Sequence, residues 1–330
     1  MPWVTAVSLL GDLGNPRALD AAVRWRLADS LAYIFSKAES RLSLDKGRCE
    51  VALQHIRSNR QDPGVFSRYY DLIFAIKANR LATAKTLVAE LLERAAQPAA
   101  FAIAPYTREG LGSDYDRFPR LIFAEYSQIN PMEDPSEEQS AASTQMLQEA
   151  LEIISRVDRG IYAEIDALLV RIYLAAANKH PTAQRFGGMT SFLVWGASFI
   201  NVESYKTRWD AVQFLVHEIT HGLLFGLGVD QPLVLNSPSE SYKSPLRSDP
   251  RPMDGLFHAT LVCARIVAFN QAWLESGLMQ GSDRTRSEPL IEDIMRKFRD
   301  GLATINRHGK LSDQARDLMD RSCRGLAVLA

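Results

Sequence analysis

One stretch narrows what this chain can build more than any other. Val212, Leu215, Val216, Ile219, Leu223 and Leu224 recur at the three- and four-residue intervals of a helix, and His217 and His221 stand four apart beside that apolar face. Helical neighbours at this spacing lie about 5–6 Å apart at Cβ, so two imidazoles can converge on one divalent transition metal. Glu218 projects from a different part of the surface, where a carboxylate can serve a metal-bound water rather than the metal. The segment His217-Glu218-Ile219-Thr220-His221 specifies two ligands and one acid–base candidate.

A three-ligand site needs one more side chain. The extended pattern with a glycine and then a histidine at three-residue steps after the second histidine fails, since Leu224 and Leu227 hold those positions, which excludes a metzincin. Downstream, the helix opening at Arg251-Pro252-Met253-Asp254 offers His258 as first choice, with Asp254 one turn earlier; Asp254 and Glu240 are the carboxylate alternatives. Arg265 falls seven residues after His258, about 10 Å further along the same stripe. At that distance a guanidinium can grip the far end of a small dicarboxylate, and Arg247 and Arg251 compete for the role because planar forks bind carboxylates in bidentate fashion. An ordinary ion pair is the competing reading for each arginine.

The rest of the chain reads as α+β, predominantly helical. From Asn15-Pro16 a long amphipathic helix runs through Leu19, Val23, Leu27, Leu31 and Ile34, and further helices are expected at Cys49–Ser58, Val65–Ala78 and Leu81–Ala96. Leu121-Ile122-Phe123-Ala124 reads as a short strand and 131–139 as a surface linker, followed by a helix through Leu147, Leu151 and Ile154. The β-branched and aromatic runs at 168–174, 191–195 and 197–202 are the expected central strands. After the histidine helix and a loop at 236–252, a helix opens at Pro252, and two more are expected at 291–302 and 312–326. These elements predict a single mixed domain over 1–330: a helical N-terminal layer (1–130), a metal-site core (160–276) holding a small central sheet followed by the histidine helix, and C-terminal helices (283–330).

Composition bounds the partners. With 330 residues, 46% apolar and 23% charged, the chain can bury a large core without a metal to hold it together. A net charge of −1, without long runs of either sign, gives no nucleic-acid or membrane-surface footprint. Cys49, Cys263 and Cys323 are widely spaced and form no Cys-x-x-Cys pair, so buried thiols in a reducing compartment are expected. Neither a secretory signal at Met1-Pro2-Trp3-Val4 nor a membrane-spanning run is seen, and a cytoplasmic location is the expectation.

The histidine helix from Asp210 to His221, the loop from Tyr242 to Pro252 and the helix Asp254-Gly255-Leu256-Phe257-His258-Ala259 together resemble the HExxH-motif proteins of ribosomal peptide natural-product (RiPP) clusters, described as 2-oxoglutarate-dependent HExxH-type peptide β-hydroxylases. The resemblance covers about residues 190 to 275 and is specific in one paired feature, HExxH followed by an Arg-Pro-opened helix. It implies a non-haem iron(II) dioxygenase with 2-oxoglutarate and dioxygen as cosubstrates. It also implies a precursor peptide as substrate, hydroxylated at a side-chain β-carbon. Carried over residue by residue, it makes His217 and His221 ligands and His258 the third. Such an oxygenase leaves metal positions open for the oxoacid and dioxygen, so three protein ligands suffice. Glu218, which this chemistry does not need as a base, is free to orient a ligand or touch substrate.

Two other functions remain open on sequence. One is a zinc metallopeptidase in which Glu218 is the general base. The other is a non-catalytic protein that uses its metal site to hold a peptide.

Overall fold

A computed structural model describes residues 15–42, 44–123, 129–244 and 249–327. In chain order the elements are α1 (Pro16–Leu42), α2 (Lys46–Ser58), α3 (Pro63–Lys77), α4 (Leu81–Ala95), β1 (Ala102–Pro105), α5 (Arg108–Leu111), α6 (Asp114–Ile122) and β2 (Met132–Glu133). They continue with α7 (Glu137–Val157), α8 (Arg159–Leu168), β3 (Arg171–Ala177), β4 (Gly188–Thr190), β5 (Ala197–Asn201), α9 (Arg208–Leu227), α10 (Met253–Glu275), α11 (Gly281–His308) and α12 (Asp313–Ala327). The fold is α+β and predominantly helical, with one small mixed sheet. No helix among the described residues is long and apolar enough to cross a membrane.

The described residues form two compact units. One gathers those within 16–145 and 166–206, the other Asn15 and those within 146–165 and 207–330. The segment 160–276, expected as one core, is therefore divided: the strands belong to the first unit and the histidine helix to the second.

In the first unit the sheet order is β1-β3-β5-β4, with β1, β3 and β5 parallel, β4 antiparallel to β5, and β2 antiparallel to the end of β3. Ile172 to Ala176 are all buried, the continuous apolar run of a parallel strand covered on both faces. Gly196, at φ 84°, turns the chain into β5; its carbonyl accepts from the Val170 and Arg171 amides, and Val170 lies 3.1 Å from where a Cβ would sit.

Several expected elements are corrected here. Leu121 and Ile122 belong to α6 and not to a strand, while Ala124 lies outside the described residues. Tyr115, Phe118 and Leu121 are buried at helical spacing, and Pro119 sits inside the helix. Proline cannot donate to the carbonyl four residues back, and that carbonyl, of Tyr115, accepts instead from the buried Tyr106 hydroxyl. The strand of this region is β1, paired with β3. The expected linker contains β2, with Met132 buried, and it ends at a reciprocal cap: the Ser136 amide donates to the Gln139 side chain and the Gln139 amide to Ser136 Oγ. The run 191–195 is a 3₁₀ turn at Phe192–Val194, not a strand, and 168–170 precedes β3.

In the second unit α10 packs against α9, α11 and α12. Thr207 and Asp210 form a capping box that fixes the start of α9 about two and a half turns before its first histidine. Gln213 on α9 and the buried Asn270 on α10 exchange amide hydrogen bonds of 3.0 and 2.8 Å, and Trp209 Nε1 donates to the buried Ser287 on α11 at 3.0 Å. Gly301 lets α11 approach α10 closely, since a Cβ there would overlap the Thr260 hydroxyl. Cys49 and Cys263 are buried free thiols and Cys323 is half-buried; burial pushes Cys263 up to about 12.

Candidate metal centre

Gln213, His217, His221 and Phe225 follow one another at four-residue steps along α9 and are all half-buried, while Ala211, Val212, Leu215, Val216, Ile219 and Leu223 are buried. The histidines thus lie on the helix face that solvent reaches. Their rings stand 4.9 Å apart, and His217 Nε2 lies 3.1 Å from His221 Nε2. Two imidazole nitrogens each ~2.1 Å from one ion are about 3.0 Å apart at a right angle and about 3.4 Å apart at the tetrahedral angle. The observed separation falls in that range, as does the 3.2 Å between His221 Nδ1 and His258 Nδ1, and both are equally distances of a direct N–H···N hydrogen bond; the four-residue spacing on one helix is what favours the His217–His221 pair. Burial, reinforced by the charges of His217 and His258, holds His221 well below the usual histidine value and keeps it neutral, as a ligand must be.

His258, on the first turns of α10, is brought to the same place but meets the other edge of the His221 ring. Its Nδ1 lies 3.2 Å from His221 Nδ1, the two rings are nearly parallel at 23°, and its Nε2 points to Asp254 Oδ1 at 3.9 Å. A single ion cannot take both nitrogens of one imidazole. His217, His221 and His258 therefore form a file with His221 in the middle, and no group of three His, Cys, Asp or Glu side chains among the described residues is arranged around one point. Burial lowers His258 as well, against the opposing pull of Asp254. Phe225 packs against both His221 and His258, with ring centroids at 6.2 and 5.1 Å.

Glu218 is only 4% exposed, a carboxylate buried on the same helix as His217 and His221.

The arginines separate clearly. Arg265 is 1% exposed and Nη2 is ion-paired to the equally buried Glu164 at 2.5 Å; its Nε and Nη1 have no hydrogen-bond partner among the described residues. Burial raises the Glu164 carboxyl, against the lowering effect of Arg265. Arg251 bridges to Tyr242 through both backbone hydrogen bonds, each 2.8 Å, and its guanidinium lies 2.9 Å from Asp249. Arg247 lies outside the described residues. Glu240, a carboxylate alternative for the third ligand, is engaged by Tyr242 and Asn236 instead, which lower its carboxyl.

Sequence reasoning did not find Glu164. The signal was present: Glu164 and Arg265 each carry a charge inside an apolar helical stripe, between Ile161 and Leu168 and between Leu261 and Val267, and opposite charges so placed must be buried together. Phe225 was missed for the opposite reason, since an aromatic on an apolar helix carries no special mark.

No family model matches the chain, and no curated protein matches it.

Proposed function

We propose that this chain is an iron(II)- and 2-oxoglutarate-dependent oxygenase that hydroxylates a side-chain β-carbon of a ribosomally made peptide. The observation that carries the reading is the pair of Nε2 atoms that His217 and His221 bring to 3.1 Å of each other on the half-buried face of α9. Two imidazole nitrogens so paired suit a non-haem iron centre, which activates an oxidant and needs no general base. The choice of iron and 2-oxoglutarate over other cofactors is supported by the likeness of the HExxH helix and the Arg-Pro-opened helix to the peptide β-hydroxylases.

His217 and His221 would hold the metal, which with 2-oxoglutarate and dioxygen supplies the oxidising power for C–H hydroxylation. The protein's own side chains do the positioning. Phe225 shields the His221 ring on one side, and the Gln213–Asn270 amide pair fixes α9 against α10 one turn before the first ligand. Arg265 retains two buried donors, Nε and Nη1, able to receive the far carboxylate of the oxoacid, with Glu164 holding the guanidinium in place. Arg251 is the competing anchor.

The test is optical. Anaerobic protein loaded with iron(II) should develop a visible charge-transfer absorption when 2-oxoglutarate is added, because the oxoacid chelates the metal. An iron-loaded protein with no such band, and with zinc-dependent cleavage of peptides, belongs to the peptidase reading.

A further inference from the structure

We propose that His258 is a positioning residue, not the third metal ligand: it accepts the Nδ1 proton of His221, so that His221 Nε2 is held toward the metal. This rests on the reading that His217 and His221 bind the ion. A neutral imidazole has one N–H and one lone pair. For His221 to offer Nε2 beside His217 Nε2, its proton must sit on Nδ1, the atom 3.2 Å from His258 Nδ1. His258 must then accept at Nδ1 and carry its own proton on Nε2, the atom facing the Asp254 carboxylate. With the ion bound, one tautomer assignment suits both ring-to-ring approaches of the file. A metal-bound histidine commonly gives its second nitrogen to an outer partner that fixes its orientation, and loss of that partner weakens metal binding about 10–100-fold. The nearly parallel His221 and His258 rings, with Phe225 packed against both, hold this arrangement sideways. The consequence is a metal with two protein nitrogens, leaving more positions to cosubstrate and solvent than a three-ligand site would.

The experiment is a cobalt(II) titration of the full chain, read by visible ligand-field absorption and by equilibrium affinity, for wild type and His217→Ala, His258→Ala, His258→Asn and His258→Gln. An Asn amide places its oxygen where His Nδ1 lies, whereas a Gln amide reaches where Nε2 lies. Expected is one cobalt per chain in His258→Ala with an unchanged band shape and affinity weaker about 10–100-fold, and recovery of affinity in His258→Asn but not in His258→Gln. Recovery in His258→Gln alone, or a band altered in His258→Ala as a nitrogen is replaced by water, overturns the proposal and makes His258 a ligand. Wild type and His217→Ala binding cobalt alike, or not at all, overturns the underlying metal reading with it. Should His258→Ala fail to fold, long-range proton–nitrogen NMR of the metal-free wild type decides: His221 protonated at Nδ1 is expected, and His221 protonated at Nε2 contradicts the proposal.

Discussion

His221 gives one ring nitrogen to each of two histidines: Nε2 faces His217 at 3.1 Å and Nδ1 faces His258 at 3.2 Å. With an ion bound as proposed, the two contacts become chemically unequal: His217 and His221 would turn both Nε2 lone pairs to the metal, while the Nδ1 pair keeps a proton between its atoms. Removing His217 or His221 should therefore abolish stoichiometric iron(II) binding, because a single imidazole on a helix face holds no divalent ion tightly. Metal analysis after gel filtration checks this; a full complement of iron in His217→Ala would place the centre elsewhere.

Glu218→Gln is expected to keep 2-oxoglutarate turnover within about tenfold of wild type, since an oxygenase, unlike a peptidase, needs no general base to activate water. Succinate release measures it. A fall of several orders of magnitude, as a peptidase suffers when its base is lost, would return the carboxylate to the chemistry.

How far these features could be read from sequence follows from what kind of signal each one leaves. The helix under His217 and His221 announces itself through apolar spacing, and the Pro252 boundary of α10 through proline chemistry. The 191–195 run misled because apolar and aromatic residues are shared by strands and by buried turns; what decides is Ser191, whose hydroxyl accepts from the Leu193 amide and closes a 3₁₀ turn. Likewise α6 carries a proline that argues against a helix, and only Tyr106, nine residues earlier than the Tyr115 carbonyl it serves, makes that helix tolerable. The Ser136–Gln139 cap was visible as a Ser-x-x-Gln pattern and was hidden by the acidic composition around it. At the centre itself, residue identity shows that three histidines can meet. Which ring edges meet depends on side-chain rotation, and no spacing rule encodes that.

The Glu164–Arg265 pair gives a separable test of stability and cosubstrate binding. Both side chains are fully buried, so removing one leaves an uncompensated charge and should cost about 3–5 kcal/mol. Arg265→Met alone is expected to lower the urea midpoint strongly, and Glu164→Leu with Arg265→Met to recover most of it. If Arg265 also anchors 2-oxoglutarate, the recovered double variant still needs far more cosubstrate than wild type. An unchanged requirement moves the anchor to Arg251 or Arg247.

Acidification should destabilise the metal-free protein through its buried histidines. Burial holds His221 and His258 below the usual histidine value, so the unfolded chain takes up protons that the folded chain refuses. Their contribution is present above about pH 6.5 and is lost as the pH falls below it. The Tm of metal-free wild type should drop on going from pH 7 to about pH 5, and the drop should be smaller in His221→Ala. Equal slopes would mean that these rings ionise freely in the folded state.

Whether this chain is an oxygenase is decided by reconstituting the protein with iron(II) under anaerobic conditions, admitting air, and measuring succinate formed from 2-oxoglutarate with and without candidate precursor peptides. Iron-dependent succinate is expected, raised by the right peptide and accompanied by a peptide mass gain of one oxygen atom. No succinate from a protein shown to carry iron at His217 and His221 would rule the oxygenase out.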